Sequence, residues 1–178
     1  ANPRDYRNLL GGAITANRAD GGLGSKTYAS FDGGQSWIDT RFDQQMRFGG
    51  GDPQVAFTPQ GTALFATLAM TPDESGRTRA AMHVYRSEDG GRTWAKPADL
   101  RYSWDHPQIA VDQSAGRFAG RVYIGVLHGF PVYRVSIFRS EDDGRTFIGP
   151  VEAANGGGKI GINVISTMVL SDGTLVVP

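Results

Sequence analysis

The chain has 178 residues, with 25 glycines, no cysteine, and 18 basic residues balanced by 18 acidic ones. Disulfides and thiolate chemistry are therefore excluded, and no Lys/Arg stripe gives the electrostatic footprint of a nucleic-acid binder. No apolar run approaches the roughly 20 residues of a membrane-spanning helix, and glycine at about twice its average share argues for many turns.

In chain order, the apolar residues fall in short runs bounded by Gly, Pro, Asp or Asn, the pattern of strands and turns. The first group is NLLGGAITA from Asn8, KTYAS from Lys26 and SWIDT from Ser36. The second is QVAFT from Gln54, ALFATLAM from Ala63, AMHVYRS from Ala81 and TWAKPA from Thr93. The third is QIAVD from Gln108, RVYIGVL from Arg121, RVSIFRS from Arg134 and TFIGPV from Thr146, and a last pair, STMVLS and TLVVP, begins at Ser166 and Thr174.

These thirteen predicted strands repeat with a period. The octapeptides SFDGGQSW (Ser30–Trp37), SEDGGRTW (Ser87–Trp94) and SEDDGRTF (Ser140–Phe147) start 57 and then 53 residues apart. GDPQVAF and DHPQIAV place Asp52 and Asp105 53 residues apart, each just upstream of a proline at a strand start. Four strands every fifty or so residues is the signature of a β-propeller blade. The expected fold is an all-β propeller of four-stranded antiparallel blades, a single domain with repeat units at about 1–50, 51–103, 104–160 and 161–178. Closed propellers use four to eight blades, so the expectation is a fragment of a longer, six-bladed ring, or a chain that pairs with another copy to close.

The octapeptide reads as a turn that staples itself: its Asp accepts backbone N–H bonds, glycine supplies positive φ, and the Ser and Thr hydroxyls bond locally. The closing Trp37, Trp94 or Phe147 packs against the sheet. Ser30, Asp32 and Gly34, Ser87, Asp89 and Gly91, and Ser140, Asp142 and Gly144 are accordingly structural. These residues resemble the Asp-box of sialidases and of a wider set of Asp-box propellers, and the resemblance covers nearly the whole chain. It implies that the boxes join third to fourth strands on the face away from the active site, and that the protein is extracellular or periplasmic.

A ligand site is then expected on the opposite loops. The loops between second and third strands supply Arg18 and Asp20, then Asp73, Glu74 and Arg77, then His128, Phe130, Tyr133 and Arg134. Those entering the next first strand supply Asp52 with Gln54, then Trp104, Asp105, His106 and Gln108, then Lys159 and Asn163. Carboxylates, imidazoles and aromatics at one mouth suit a carbohydrate or glycoconjugate. Each has a plainer reading: Asp52 and Asp105 as turn caps, His106 and His128 as structural histidines, Asp73 and Glu74 as solvated surface.

The sialidase resemblance implies a carboxylate-binding arginine triad, a Tyr nucleophile activated by Glu, and an Asp acid/base. Asp20 takes the acid/base position, on the loop before the first box. Tyr6-Arg7-Asn8-Leu9 departs from the family's aromatic-Arg-Ile-Pro motif, and NPRDYRNLLGG resembles the opening of non-catalytic Asp-box repeats. DGTLVVP resembles the strand that precedes the later catalytic residues. Two functions therefore stand: an exo-glycosidase of the sialidase type, or a non-catalytic propeller that binds glycans or proteins as a scaffold module. No cofactor is implied. His83, His106 and His128 share no zinc-like spacing, and Asp52 with Asp105 do not make an oxygen-rich calcium loop.

Overall fold

The computed structural model describes residues 1–16, 22–42, 48–102, 104–129, 131–154, 157, 161–163 and 166–177. Among them are thirteen strands and no α-helix. The first sheet is β1 (Leu9–Ala16), β2 (Leu23–Ser30) and β3 (Ile38–Arg41). The second is β4 (Gly50–Phe57), β5 (Ala63–Pro72), β6 (Thr78–Ser87) and β7 (Ala98–Tyr102). The third is β8 (Asp105–Val111), β9 (Val122–His128), β10 (Arg134–Ser140) and β11 (Ile148–Ala154), and β12 (Met168–Val169) pairs with β13 (Leu175–Val176). Every sheet is antiparallel and orders its strands as the chain does.

The sheets pack in sequence order with apolar cores between them. Side chains alternate along β5, so Leu64, Ala66 and Leu68 meet Val122, Ile124 and Val126 of β9, together with Met82, Val84, Leu100 and Phe138. Phe65 and Ala69 point the other way and join Phe42 and Tyr85. This double burial is why ALFATLAM reads as a continuous apolar run rather than an alternating one. Phe65 and Leu64 are both 0% exposed. Burying each contributes about 2–3 kcal/mol, and truncating Phe65 to Ala would cost about 3–5 kcal/mol. A third core holds Leu127 and Val135 against Ile162 and Val177.

Two sequence expectations need correction. The aromatic that ends each octapeptide lies outside the fourth strand: β3 begins after Trp37, β11 after Phe147, and β7 only at Ala98 rather than at Thr93. Ala95 donates to the Arg86 carbonyl at 2.9 Å, but Pro97 has no N–H to continue the ladder, which starts one residue later. In addition, β4 and β8 extend upstream of the predicted QVAFT and QIAVD to take in Asp52, Asp105 and His106. Those residues stand in bulged strand rather than in connecting loops.

Candidate functional site

The three octapeptides build the same hydrogen-bonded turn. In the second, Ser87 Oγ donates to Asp89 Oδ1 (2.7 Å) and accepts from the Gly91 N–H (2.8 Å). Asp89 Oδ1 accepts from the Thr93 N–H (2.9 Å) and Oδ2 from the Thr93 hydroxyl (2.6 Å). The first turn repeats this with Ser30, Asp32, Gly34 and Ser36, and the third with Ser140, Asp142, Gly144 and Thr146. Trp37 closes its turn by donating Nε1–H to the Gly34 carbonyl (3.0 Å). The Ser36 hydroxyl and N–H hold the Asp32 carboxyl well below the usual carboxylate range. Burial pushes Asp89 and Asp142 up, but hydroxyl and backbone donors, led by Thr93 and Thr146, outweigh it and leave both lowered. All three carboxylates are thus occupied by their own turns.

The same turns clamp neighbouring sheets. Asn8, just before β1, donates to both the Ser30 carbonyl and the Gly90 carbonyl, each at 3.0 Å. One junction on, Arg86 Nε donates to the Asp143 carbonyl at 2.7 Å, and the Thr62 hydroxyl donates to Asp143 Oδ2 at 2.6 Å. A Cβ on Gly91 would stand 3.1 Å from Leu10 and Ala29, and one on Gly144 2.7 Å from Leu64. Leu10 and Leu64 hold the same register position in their sheets, opposite Ala29 and Arg86. Glycine is therefore required here because a side chain of the preceding sheet occupies the space. The sequence reading did not single out Asn8, Arg86 or Asp143. Its available signal was the aspartate of SEDDGRTF at a position where the other two octapeptides have glycine.

At the opposite end the candidates are partly brought together. Trp104 and His128 meet edge to face, ring centroids 5.5 Å apart, and Trp104 also meets Phe138 at 5.2 Å. His128 Nε2 lies 2.9 Å from Ser136 Oγ, and Trp104 Nε1 donates to the Leu100 carbonyl at 2.8 Å. Asp105 Oδ1 accepts the N–H of exposed His106 at 2.9 Å. The Tyr133 side chain packs on the third core while its carbonyl accepts from the Ile162 N–H at 3.2 Å. Asp73 accepts from Ser75, Arg77 and Arg79 within its own turn, and Arg134 pairs with Glu152 at 3.5 Å. Glu74, Arg77 and Asn163 are exposed. Arg18, Asp20, Phe130 and Lys159 lie outside the described residues.

The repeat at this end differs in one respect from the sequence reading. Pairing is bulged between Gly51 and Gln54 in β4 and between Asp105 and Gln108 in β8. Asp52 (φ 51°) and His106 (φ 53°), each immediately before a proline, occupy the equivalent left-handed position. Asp52 therefore corresponds to His106, not to Asp105. Left-handed backbone in a non-glycine residue costs about 1 kcal/mol or more, and here both residues carry it at the first strands of adjacent sheets.

Three of the open clefts lined by described residues bear on these side chains. One of about 500 Å³ at the octapeptide end has Arg86, Glu88, Glu141 and Arg145 on its walls. Its charges are paired, with Arg145 on Glu88 at 3.2 Å and Arg139 on Glu141 at 3.1 Å. Another, about 550 Å³, is aromatic, with Phe42, His83, Tyr85 and Trp94. A third, about 400 Å³, lies beside Asp73, Glu74 and Arg101. No described group of three His, Asp or Glu residues is set to hold a metal ion, and no described helix is long and apolar enough to cross a membrane.

No protein-family model and no curated protein matches this chain. Among solved structures it is similar to a protein of unknown function from Dyadobacter fermentans DSM 18053, at 18% identity and a TM-score of 0.60. The match covers 92% of this chain and 50% of that one, so the chain spans about half the length of that structure, and the likeness is one of all-β fold.

Proposed function

We propose that the chain forms sheets of an Asp-box β-propeller of the sialidase superfamily, and that it acts on glycans through the loops opposite the boxes. The observation that carries this is the turn itself. Three octapeptides share one hydrogen-bond scheme, join β2 to β3, β6 to β7 and β10 to β11, and the second and third are gripped by the preceding sheet, so the octapeptide end reads as frame. Binding loops carried on a rigid scaffold then belong to the other end. In the catalytic form of this reading Asp20 donates the proton to the leaving oxygen.

A second reading, a propeller that binds glycans or proteins without turnover, is favoured by one feature of that end. His128 is engaged with Ser136 and Trp104, and Asp105 with the His106 N–H, so these candidates brace the frame. The test is to measure hydrolysis of a fluorogenic α-sialoside and binding to a glycan array, with wild type and Asp20→Asn. Loss of turnover by about 100-fold or more in Asp20→Asn, with array binding kept, supports the hydrolase. Binding without any turnover supports the second reading, and neither activity removes both.

A further inference from the structure

The second octapeptide is followed by a departure that the other two lack. β3 begins directly after Trp37 and β11 directly after Phe147, but Ala95, Lys96 and Pro97 intervene between Trp94 and β7. Ala95 donates to the Arg86 carbonyl and the ladder resumes at Ala98 opposite Val84, so Lys96 and Pro97 together oppose the single residue Tyr85. An extra residue on one strand bows it away from its neighbour. Here the bow borders the cleft of about 550 Å³, which has buried Phe42 and Tyr85 at its base, His83 and half-buried Trp94 beside them, and exposed Lys96 at its rim.

The walls define what fits. Phe42, Tyr85 and Trp94 form one cluster, with the Phe42 ring centroid 4.5 Å from that of Tyr85 and 6.0 Å from that of Trp94. Aromatic walls around a volume of this size suit a flat apolar body of one or two fused rings. Two donors there are unspent. Trp37 gives its indole N–H to the Gly34 carbonyl, whereas the buried Nε1 of Trp94 has no acceptor among the described residues. Lys96 makes no ion pair with a described residue. No described carboxylate lines the cleft, and Asp99, across the ladder from His83, is engaged by the Arg101 N–H at 2.8 Å. An anionic acceptor is therefore complementary to the cleft. A saccharide is not, because its hydroxyls would find no described carboxylate to accept from them.

We propose that this cleft is a binding site for a small aromatic carboxylate. The ring of the ligand lies among Phe42, Tyr85 and Trp94, its carboxylate takes the Trp94 N–H, and Lys96 balances the charge from the rim. The site uses none of the loop-end candidates and is independent of the glycan reading.

The test is isothermal titration calorimetry of the chain with naphthylacetate and with its neutral amide. The acid is expected to bind at one site per chain, about tenfold more tightly than the amide. Lys96→Gln, at an exposed position, should weaken the acid about threefold and leave the amide unchanged. Trp94→Phe keeps a ring but removes the N–H, and should weaken the acid about tenfold, with urea unfolding confirming that the variant is folded. Equal affinity for acid and amide, or no binding of either at millimolar concentration, would overturn the proposal. So would a preference for the acid that Lys96→Gln leaves intact, which would place the binding elsewhere on the chain.

Discussion

Arg86 of β6 reaches across the junction between the second and third sheets and binds Asp143 twice, through Nε to the carbonyl oxygen at 2.7 Å and through Nη2 to Oδ2. Asp143 sits at φ 62°, where the first two octapeptides place Gly33 and Gly90. Strain at one residue is thus offset by a charged contact to the neighbouring sheet. Asp143→Gly removes about 1 kcal/mol of backbone strain but loses hydrogen bonds to a charged group worth about 1.5–3 kcal/mol, so it destabilises on balance. Arg86→Ala is expected to cost about 2–3 kcal/mol, since it leaves a half-buried carboxylate without its cation. Urea unfolding of both single variants and the double should give a coupling energy of at least about 1 kcal/mol. Additive losses would mean the pair is incidental.

Two octapeptide glycines with contrasting surroundings provide an internal control. Gly144 (φ 80°) has Leu64 2.7 Å from where a Cβ would be, whereas Gly33 (φ 78°) has nothing within 4 Å. Gly33→Ala should cost only the left-handed backbone penalty, about 1 kcal/mol, and Gly144→Ala about 2 kcal/mol more from overpacking a leucine that has no room to move. Equal losses in thermal or urea unfolding would show that the sheets do not meet at this glycine.

The strands were legible because Gly, Pro, Asp and Asn punctuate them and because thirteen short runs repeat. The octapeptide was legible as a self-bonded turn because Ser, Asp, Gly and Thr at that spacing have bonding partners within the turn. Other features were hidden for physical reasons. Trp94 and Phe147 look like strand residues by propensity, yet their rings pack against core side chains and keep them out of the ladder. The equivalence of Asp52 with His106 follows the shared Pro53-Gln54 and Pro107-Gln108, and the matching aspartates of the two segments drew the alignment one residue away from it. The Arg86–Asp143 clamp joins residues 57 apart, which no local pattern encodes.

Acid should loosen the octapeptide turns. Asp32, Asp89 and Asp142 all have folded-state pKa values below the ordinary aspartate value of about 3.9, so their contribution is fully present above that pH. It is lost as pH falls through the ordinary value toward the lower folded ones. Asp89→Asn is expected to reduce stability at pH 7 by about 1–2 kcal/mol and to flatten the fall in melting temperature between about pH 5 and pH 3. If wild type and variant ran parallel over that range, the carboxylate would not be the group that the turn stabilises.

A separate pH effect belongs to His83, which is 9% exposed beside Tyr85, whose hydroxyl is 3.5 Å from its Nδ1. Burial lowers its pKa, and Asp99 on the adjoining strand only partly opposes this. The folded state therefore disfavours the protonated ring, and the unfolded chain takes up the proton first as pH drops below about 6.5. Stability linked to His83 is fully present above that pH and is lost as pH falls through it toward the lower folded value, well before the aspartates titrate. His83→Gln should remove this slope between about pH 7 and pH 5 while leaving the acid limb below pH 4 in place. Urea midpoints of wild type and His83→Gln across this range provide the check. If the slope survives in His83→Gln, burial of that ring is not its cause.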